Sequence, residues 1–210
     1  GKPAFVLDPD GPRLEFIPEL SSADSSRRWE FVYTYQDGAA FKVRGNLRLE
    51  GRAAVTHETN MVYKPVDAVK YELLHQLSFG HKISESTIGE LPPSSRIVTD
   101  LDVPFGFTLS DAGVRTTAGQ GFLLTRESPV DRLIDDVRDR VSDMYLDPPV
   151  VWTTREELIG VRLVGHRNMD CDLKTPWIHL QRKVFETSNG VAASDRGEIR
   201  GLESIVVPQA

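Results

Sequence analysis

Between Trp29 and Gly51, apolar and polar positions alternate with a period of two around an Asp37-Gly38 turn signal. Trp29, Phe31, Tyr33 and Tyr35 share one face of a first strand, against Glu30, Thr34 and Gln36. Ala39, Phe41, Val43, Leu47 and Leu49 share the matching face of a second strand, against Lys42, Arg44, Asn46, Arg48 and Glu50. Such alternation predicts a half-buried β-hairpin. A two-residue loop would set Tyr33 opposite Lys42 and mix the two faces, because a one-residue slip flips a strand. A three-residue loop, Gln36-Asp37-Gly38, keeps them apart. It pairs Tyr35 with Ala39, Tyr33 with Phe41, Phe31 with Val43 and Trp29 with Gly45, with Gly38 in the left-handed position of a bulge.

The pattern extends in both directions. Ala4–Asp8 and Arg13–Ile17 read as short strands around the turn Pro9-Asp10-Gly11-Pro12, followed by a serine-rich linker at 21–26. Ala53–Thr56 continues or turns out of the hairpin. Pro65–Ser78 is a helix with Val66, Val69, Leu73, Leu74 and Leu77 inward, His75 outward and Gly80 as its stop. Ser84–Ser95 reads as a polar surface loop. Arg96–Val103, Phe105–Leu109 and Gly121–Thr125 are strand candidates, with Gly113–Gly119 as a separating segment.

A second helix opens on Ser128, Pro129 and Asp131 and runs through Val130, Leu133, Ile134, Val137, Val141, Met144 and Tyr145 to Pro148. Strands return at Val150–Thr153, Leu158–Val164, Trp177–Thr187 and Leu202–Val207, with Asn189-Gly190 as a turn and Gly197 and Gly201 as breaks. Strands early and late with helices between them indicate an α+β fold. The expected architecture is a largely antiparallel sheet or partly open sandwich carrying two amphipathic helices. Residues 1–20 form an N-terminal arm and 29–210 a single domain.

At 210 residues the chain can bury one substantial core, and 40% hydrophobic with 27% charged residues is ordinary for a globular protein. A net charge of −6 argues against nonspecific binding to a nucleic-acid backbone. The single cysteine, Cys171, forms no intramolecular disulfide, and no apolar run reaches the length of a membrane span. The first residues lack the apolar stretch of a signal peptide, so a cytoplasmic setting is expected, with peripheral membrane contact left open.

Several residue groups invite chemistry. His166, Asp170, Cys171 and Asp172 lie in one polar loop and could hold a divalent metal or activate the thiol. Their spacing matches no ligand pattern, and adjacent carboxylates disfavour a thiolate. Asp100 and Asp102 share a strand face, as a metal clamp would require, although the polar side of a half-buried strand explains them equally. His57 and Glu58, near Lys64, could act as acid and base. Gly113, Gly119 and Gly121 fit neither a P-loop nor a dinucleotide fingerprint, and no hydrolase elbow or zinc-protease motif occurs. No catalytic residue, metal or cofactor is assigned.

Interaction residues are easier to name. Trp177, following Pro176 at a strand start and sharing a polar face with His179, Gln181 and Lys183, is a candidate anchor at a binding surface. Lys42, Arg44 and Arg48 form a basic hairpin face, and Asp135, Asp136 and Asp139 an acidic helix face that would complement it.

The piece from Val151-Trp152 through Glu157-Leu158-Ile159-Gly160-Val161 resembles a segment of animal rhabdovirus matrix proteins, where a tryptophan, an acidic stretch and an apolar-Gly-apolar strand occur in similar order. The order of strand Phe41–Leu49 and helix Pro65–Ser78 is similar to the start of that family's core. The resemblance implies a viral, matrix-like or shell-like assembly role and transfers no site residue. Independently of it, the absence of catalytic signatures and the abundance of strand edges point to a non-enzymatic protein that self-associates as a homo-oligomer or docks a protein partner. The alternative is a small-molecule-binding domain or metal-assisted hydrolase with a pocket between sheet and helices.

Overall fold

A computed structural model describes residues 2–9, 11–17, 21–36, 40–61, 64–92, 98–110, 112–116, 119–122, 144–145, 149–163, 170–200 and 206–207. In chain order it contains β1 (Lys2–Asp8), β2 (Gly11–Ile17), a 3-10 turn at Ser22–Asp24, β3 (Ser25–Gln36) and β4 (Ala40–Gly51). Two helices follow, α1 (Arg52–Met61) and α2 (Val66–Leu77), then β5 (Ile83–Ile88), β6 (Asp100–Leu109), β7 (Gly113–Thr116), β8 (Gly119–Phe122) and β9 (Met144–Tyr145). The last elements are β10 (Val150–Ile159), β11 (Cys171–Lys174), β12 (Ile178–Thr187), β13 (Gly190–Ile199) and β14 (Val206–Val207).

The fold is α+β. One eight-stranded sheet runs in the order β11-β12-β13-β10-β3-β4-β6-β5. Its neighbours are antiparallel except at the centre, where β10 lies parallel to β3. The sheet is therefore two antiparallel halves, β3 to β6 and β10 to β13, joined along one parallel seam.

Alternation assigns each strand an inner and an outer face. Phe31, Tyr33, Phe41, Val43, Leu47, Leu49, Leu101, Val103, Phe105, Phe107 and Leu109 bury against Ala53 and Ala54 of α1 and Leu73, Leu74 and Leu77 of α2. A smaller cluster centres on Trp152 and Ile199 in the second half, with Trp177, Ile178 and Leu180 packed against it. Trp29 touches both clusters.

The long hairpin keeps the expected faces but not the expected register. Tyr35 pairs with Phe41, Tyr33 with Val43, Phe31 with Gly45 and Trp29 with Leu47, two residues on from the anticipated pairing. A shift of two leaves every side chain on its face, so the burial pattern could not detect it. The close approach is made at Gly45, where a Cβ would collide with the Glu30 carbonyl and the Phe105 ring. Phe31 meets Phe105 edge-on, with ring centroids 5.2 Å apart. The turn residues 37–39, including the bulge expected at Gly38, lie outside the described residues.

Other elements differ from the sequence reading for local reasons. Ala53–Thr56 is helical, because Gly51 takes φ 58° and turns the chain out of β4 into α1. Ser84–Ile88 is not a loop but part of β5, bonded to β6. β6 runs unbroken through Pro104: its ring nitrogen faces β5 beyond the paired region, and its carbonyl accepts from Gly89 N–H at 2.7 Å. The Gly113–Gly119 segment holds strand β7 and, with β8, forms a small hairpin. Met144 and Tyr145 pair with β14 as a strand instead of ending a helix, and the remainder of the predicted second helix, 128–143, lies outside the described residues.

β10 is one strand where two were expected, because Glu156 turns into the core side, 3% exposed, and accepts the Tyr33 hydroxyl at 3.3 Å. β13 lies where the sequence predicts a turn and glycine breaks: Ala192, Ala193 and Gly197 look like a broken loop, but the Trp152 ring lies over Gly197 where a Cβ would collide.

Candidate functional site

The described residues contain no grouping of three or more His, Cys, Asp and Glu side chains placed to hold a metal ion. The candidates that the described residues place lie on surfaces. Three of them can be built: the outer sheet face, the β11 border and the N-terminal hairpin.

The outer sheet face collects charges from every strand. Lys42, Arg44 and Arg48 do share it, as their alternation required. In register with Arg48 lie Arg28 on β3 and, beyond Thr153, Arg196 on β13. Arg155 faces outward one pair further along, beside Glu30. Tertiary pairing alone brings these three arginines to the hairpin's cations, so no local signal announced them. Arg48 is held by Glu50 at 3.0 Å and Asp100 at 3.6 Å.

Asp100 and Asp102 stand on that same face, and each is engaged: Asp100 by Arg48, Asp102 by the Asn46 side-chain amide. The Ser26 hydroxyl donates to Glu50 at 2.6 Å, and with help from Arg48 and Arg28 it holds that carboxyl below its usual range, against a smaller opposing effect of burial. The acidic partners proposed for this face, Asp135, Asp136 and Asp139, lie outside the described residues.

At the β11 border the polar loop resolves into structural contacts. Asp170 Oδ1 accepts the Val184 main-chain N–H at 3.0 Å. Asp172 contacts the His179 ring at 2.9 Å and accepts from Gln181 at 3.3 Å, and these contacts, His179 first, hold its carboxyl below the ordinary value. Cys171 is exposed and opposite Arg182, which is locked to Asp195 by two hydrogen bonds of 2.6 and 2.9 Å. His166 lies outside the described residues.

The remaining candidates separate. His57 and Glu58 lie within α1, while Lys64 turns to Glu72 at 2.6 Å. Trp177 is half-buried and packs on the Trp152–Ile199 cluster; its N–H donates to the Thr175 hydroxyl at 3.3 Å and its carbonyl accepts from Arg200 N–H at 2.8 Å.

The surface that sequence reasoning underrated is the N-terminal hairpin. β1 and β2 pair with each other in a sheet of their own, Asp8 opposite Gly11, around a tighter turn than anticipated. Among the described residues the hairpin packs extensively against no other element. Leu14 and Phe16, two apart and so on one face, are 58% and 71% exposed. The register sets Phe5 opposite Leu14 and Pro3 opposite Phe16. The signal was present as Leu14-Glu15-Phe16, read as a strand but not as an outward-facing one.

Comparison with known proteins returns no matching family model, curated protein or solved structure.

Proposed function

We propose that the chain is a non-enzymatic structural or interaction protein that self-associates, its N-terminal hairpin docking on a second copy. The observation that carries this reading is the apolar face of that hairpin, which holds Leu14 and Phe16 in solvent while among the described residues the hairpin pairs with no other sheet. Covering two such side chains contributes about 3 kcal/mol, which offsets part of the cost of association and needs further contacts beside it. The body of a second copy offers exposed apolar side chains, Phe185 and Val32, at the two ends of one cross-strand row of the outer face, with Glu157 and the buried Ala192 between them. Lys42 and Arg44 border that row and would meet the acidic stretch Asp135, Asp136 and Asp139 of a neighbour. Assembly into a matrix-like shell is one form this association would take. The residues behind the rhabdovirus likeness add no separate support, because Trp152 and Leu158 are accounted for by core packing in β10.

Sedimentation velocity across a concentration series tests the reading. Wild-type protein is expected to form oligomers that weaken when Leu14→Ser and Phe16→Ser are combined, with the circular dichroism of the eight-stranded sheet retained. A wild-type protein that stays monomeric at high concentration at every salt level overturns it.

A further inference from the structure

We propose that the outer edge of β11 is a self-complementary interface, at which two copies pair antiparallel about a twofold axis through Leu173. The inference rests on the self-association reading and assigns it a particular contact.

The two borders of the sheet are built differently. At β5 the ladder is interrupted by a bulge between Ser84 and Thr87, and Glu85 takes a left-handed φ of 50°. Distortions of this kind discourage another strand from adding. β11 is short and carries Asp172 and Lys174, but no bulge interrupts it: its register with β12 is regular, all four residues are exposed, and among the described residues nothing pairs with its outer edge. Leu173, in the middle, is 47% exposed.

Backbone direction decides which groups that edge presents. Val184 N–H leaves β12 on the β11 side to reach Asp170, and the Ile178 carbonyl accepts from Thr175 N–H on the same side. Even-numbered residues of β12 therefore bond toward β11. Leu180 with Leu173 and Arg182 with Cys171 are then the hydrogen-bonded pairs. The main-chain N–H and C=O of Asp172 and Lys174 point outward, where nothing among the described residues bonds them.

A twofold contact repeats itself, and outward backbone groups, carried by even-numbered residues, must meet outward groups of the copy, so the register places a residue opposite its own copy. Centred on Asp172 or on Lys174, like charges would face each other. Centred on Cys171, Asp172 would face the Asp170 of a second copy. Centred on Leu173, each Asp172 faces a Lys174. These are also the residues whose backbone groups point outward, so both pairs exchange main-chain hydrogen bonds. The two Leu173 side chains meet at the non-bonded position, where cross-strand side chains approach most closely. Opposite charges, outward backbone groups and the exposed leucine select the same register. A strand of this length buries less than a stable interface requires, so the contact alone is weak and concentration-dependent. It closes a pair, which the hairpin contact, made elsewhere on the molecule, would extend.

The test is crosslinking in a Cys171→Ser background. Leu173→Cys should give a reducible dimer on mild oxidation of dilute protein, whereas Cys171→Ser alone gives none, since a non-bonded antiparallel pair lies within disulfide reach. By sedimentation, Asp172→Lys should weaken association by about tenfold, and adding Lys174→Asp should restore it. If wild-type protein associates but Leu173→Cys does not crosslink and the charge variants change nothing, the edge assignment is wrong while self-association stands. If wild-type protein never associates, the broader reading falls and takes this one with it.

Discussion

Polar side chains in this protein do structural work that looks like chemistry when read along the chain. Glu156 sits on the inner face beneath the Tyr33 hydroxyl, and Asp170 caps a main-chain N–H of β12. Both belong to acid-bearing stretches that read as strand breaks or ligands. Glu50 gives this a measurable form. Its carboxyl is held below its usual range, foremost by Ser26, so its charged form is stabilised by folding. The stability it adds is present above the unfolded pKa of about 4.3 and is lost as pH falls through the lower folded value. Ser26→Ala should move the Glu50 midpoint upward in an NMR titration. The stability gap between the two proteins from this source should be open at neutral pH and close in acid. An unmoved midpoint would show that the hydroxyl does not set it.

At the scale of elements, the decisive residues are those that start, stop or turn a segment. α2 ends where Phe79 and Gly80 both take positive φ, 54° and 74°, with Gly80 N–H bonding the His75 carbonyl at 3.2 Å. The space a Cβ would occupy at Gly80 is open, the nearest atom being a His75 ring carbon at 4.0 Å. Backbone strain is therefore the only cost of a side chain there. Gly80→Ala should lower stability by about 1 kcal/mol, read as a reduced urea midpoint with an unchanged slope. Gly51, also left-handed at φ 58°, is the comparable switch from β4 to α1. Helix α2 was legible because its stop residue and its stripe of Val69, Leu73, Leu74 and Leu77 are local, although Val66, expected inward, stands 51% exposed in the first turn. Helix α1 was not, because Arg52-Ala53-Ala54-Val55-Thr56 carries no strong period and is fixed by the small buried faces of Ala53 and Ala54 against β3 and β4.

For the whole molecule, the seam between β3 and β10 carries the integrity of the sheet. Each half has its own apolar cluster, and Trp29 packs against both. Trp29→Ala should destabilise the fold by about 3 kcal/mol and uncouple the halves. Fluorescence of the remaining tryptophans, Trp152 and Trp177, both in the second half, should then change at lower denaturant than the far-ultraviolet signal. In the wild type the two transitions should coincide, as for one cooperative unit. Coincident transitions in the variant would mean that the seam's backbone bonds suffice.

Alternation and helical spacing, which act within a few residues, were enough to assign the α+β class, the inward faces of residues 29–51, the helix over Val66–Leu77 and the arm strands that became β1 and β2. They report which side of a segment is apolar, and burial enforces that choice wherever the segment ends up. Strand neighbours, register and edges depend on partners far along the chain. Only tertiary pairing could set β10 beside β3, shift the long hairpin by two residues, admit the alanine- and glycine-rich β13 under Trp152, and put β11 at the border of the sheet. Each of these is decided by backbone hydrogen bonds and close ring contacts, which leave the period of a single strand unchanged.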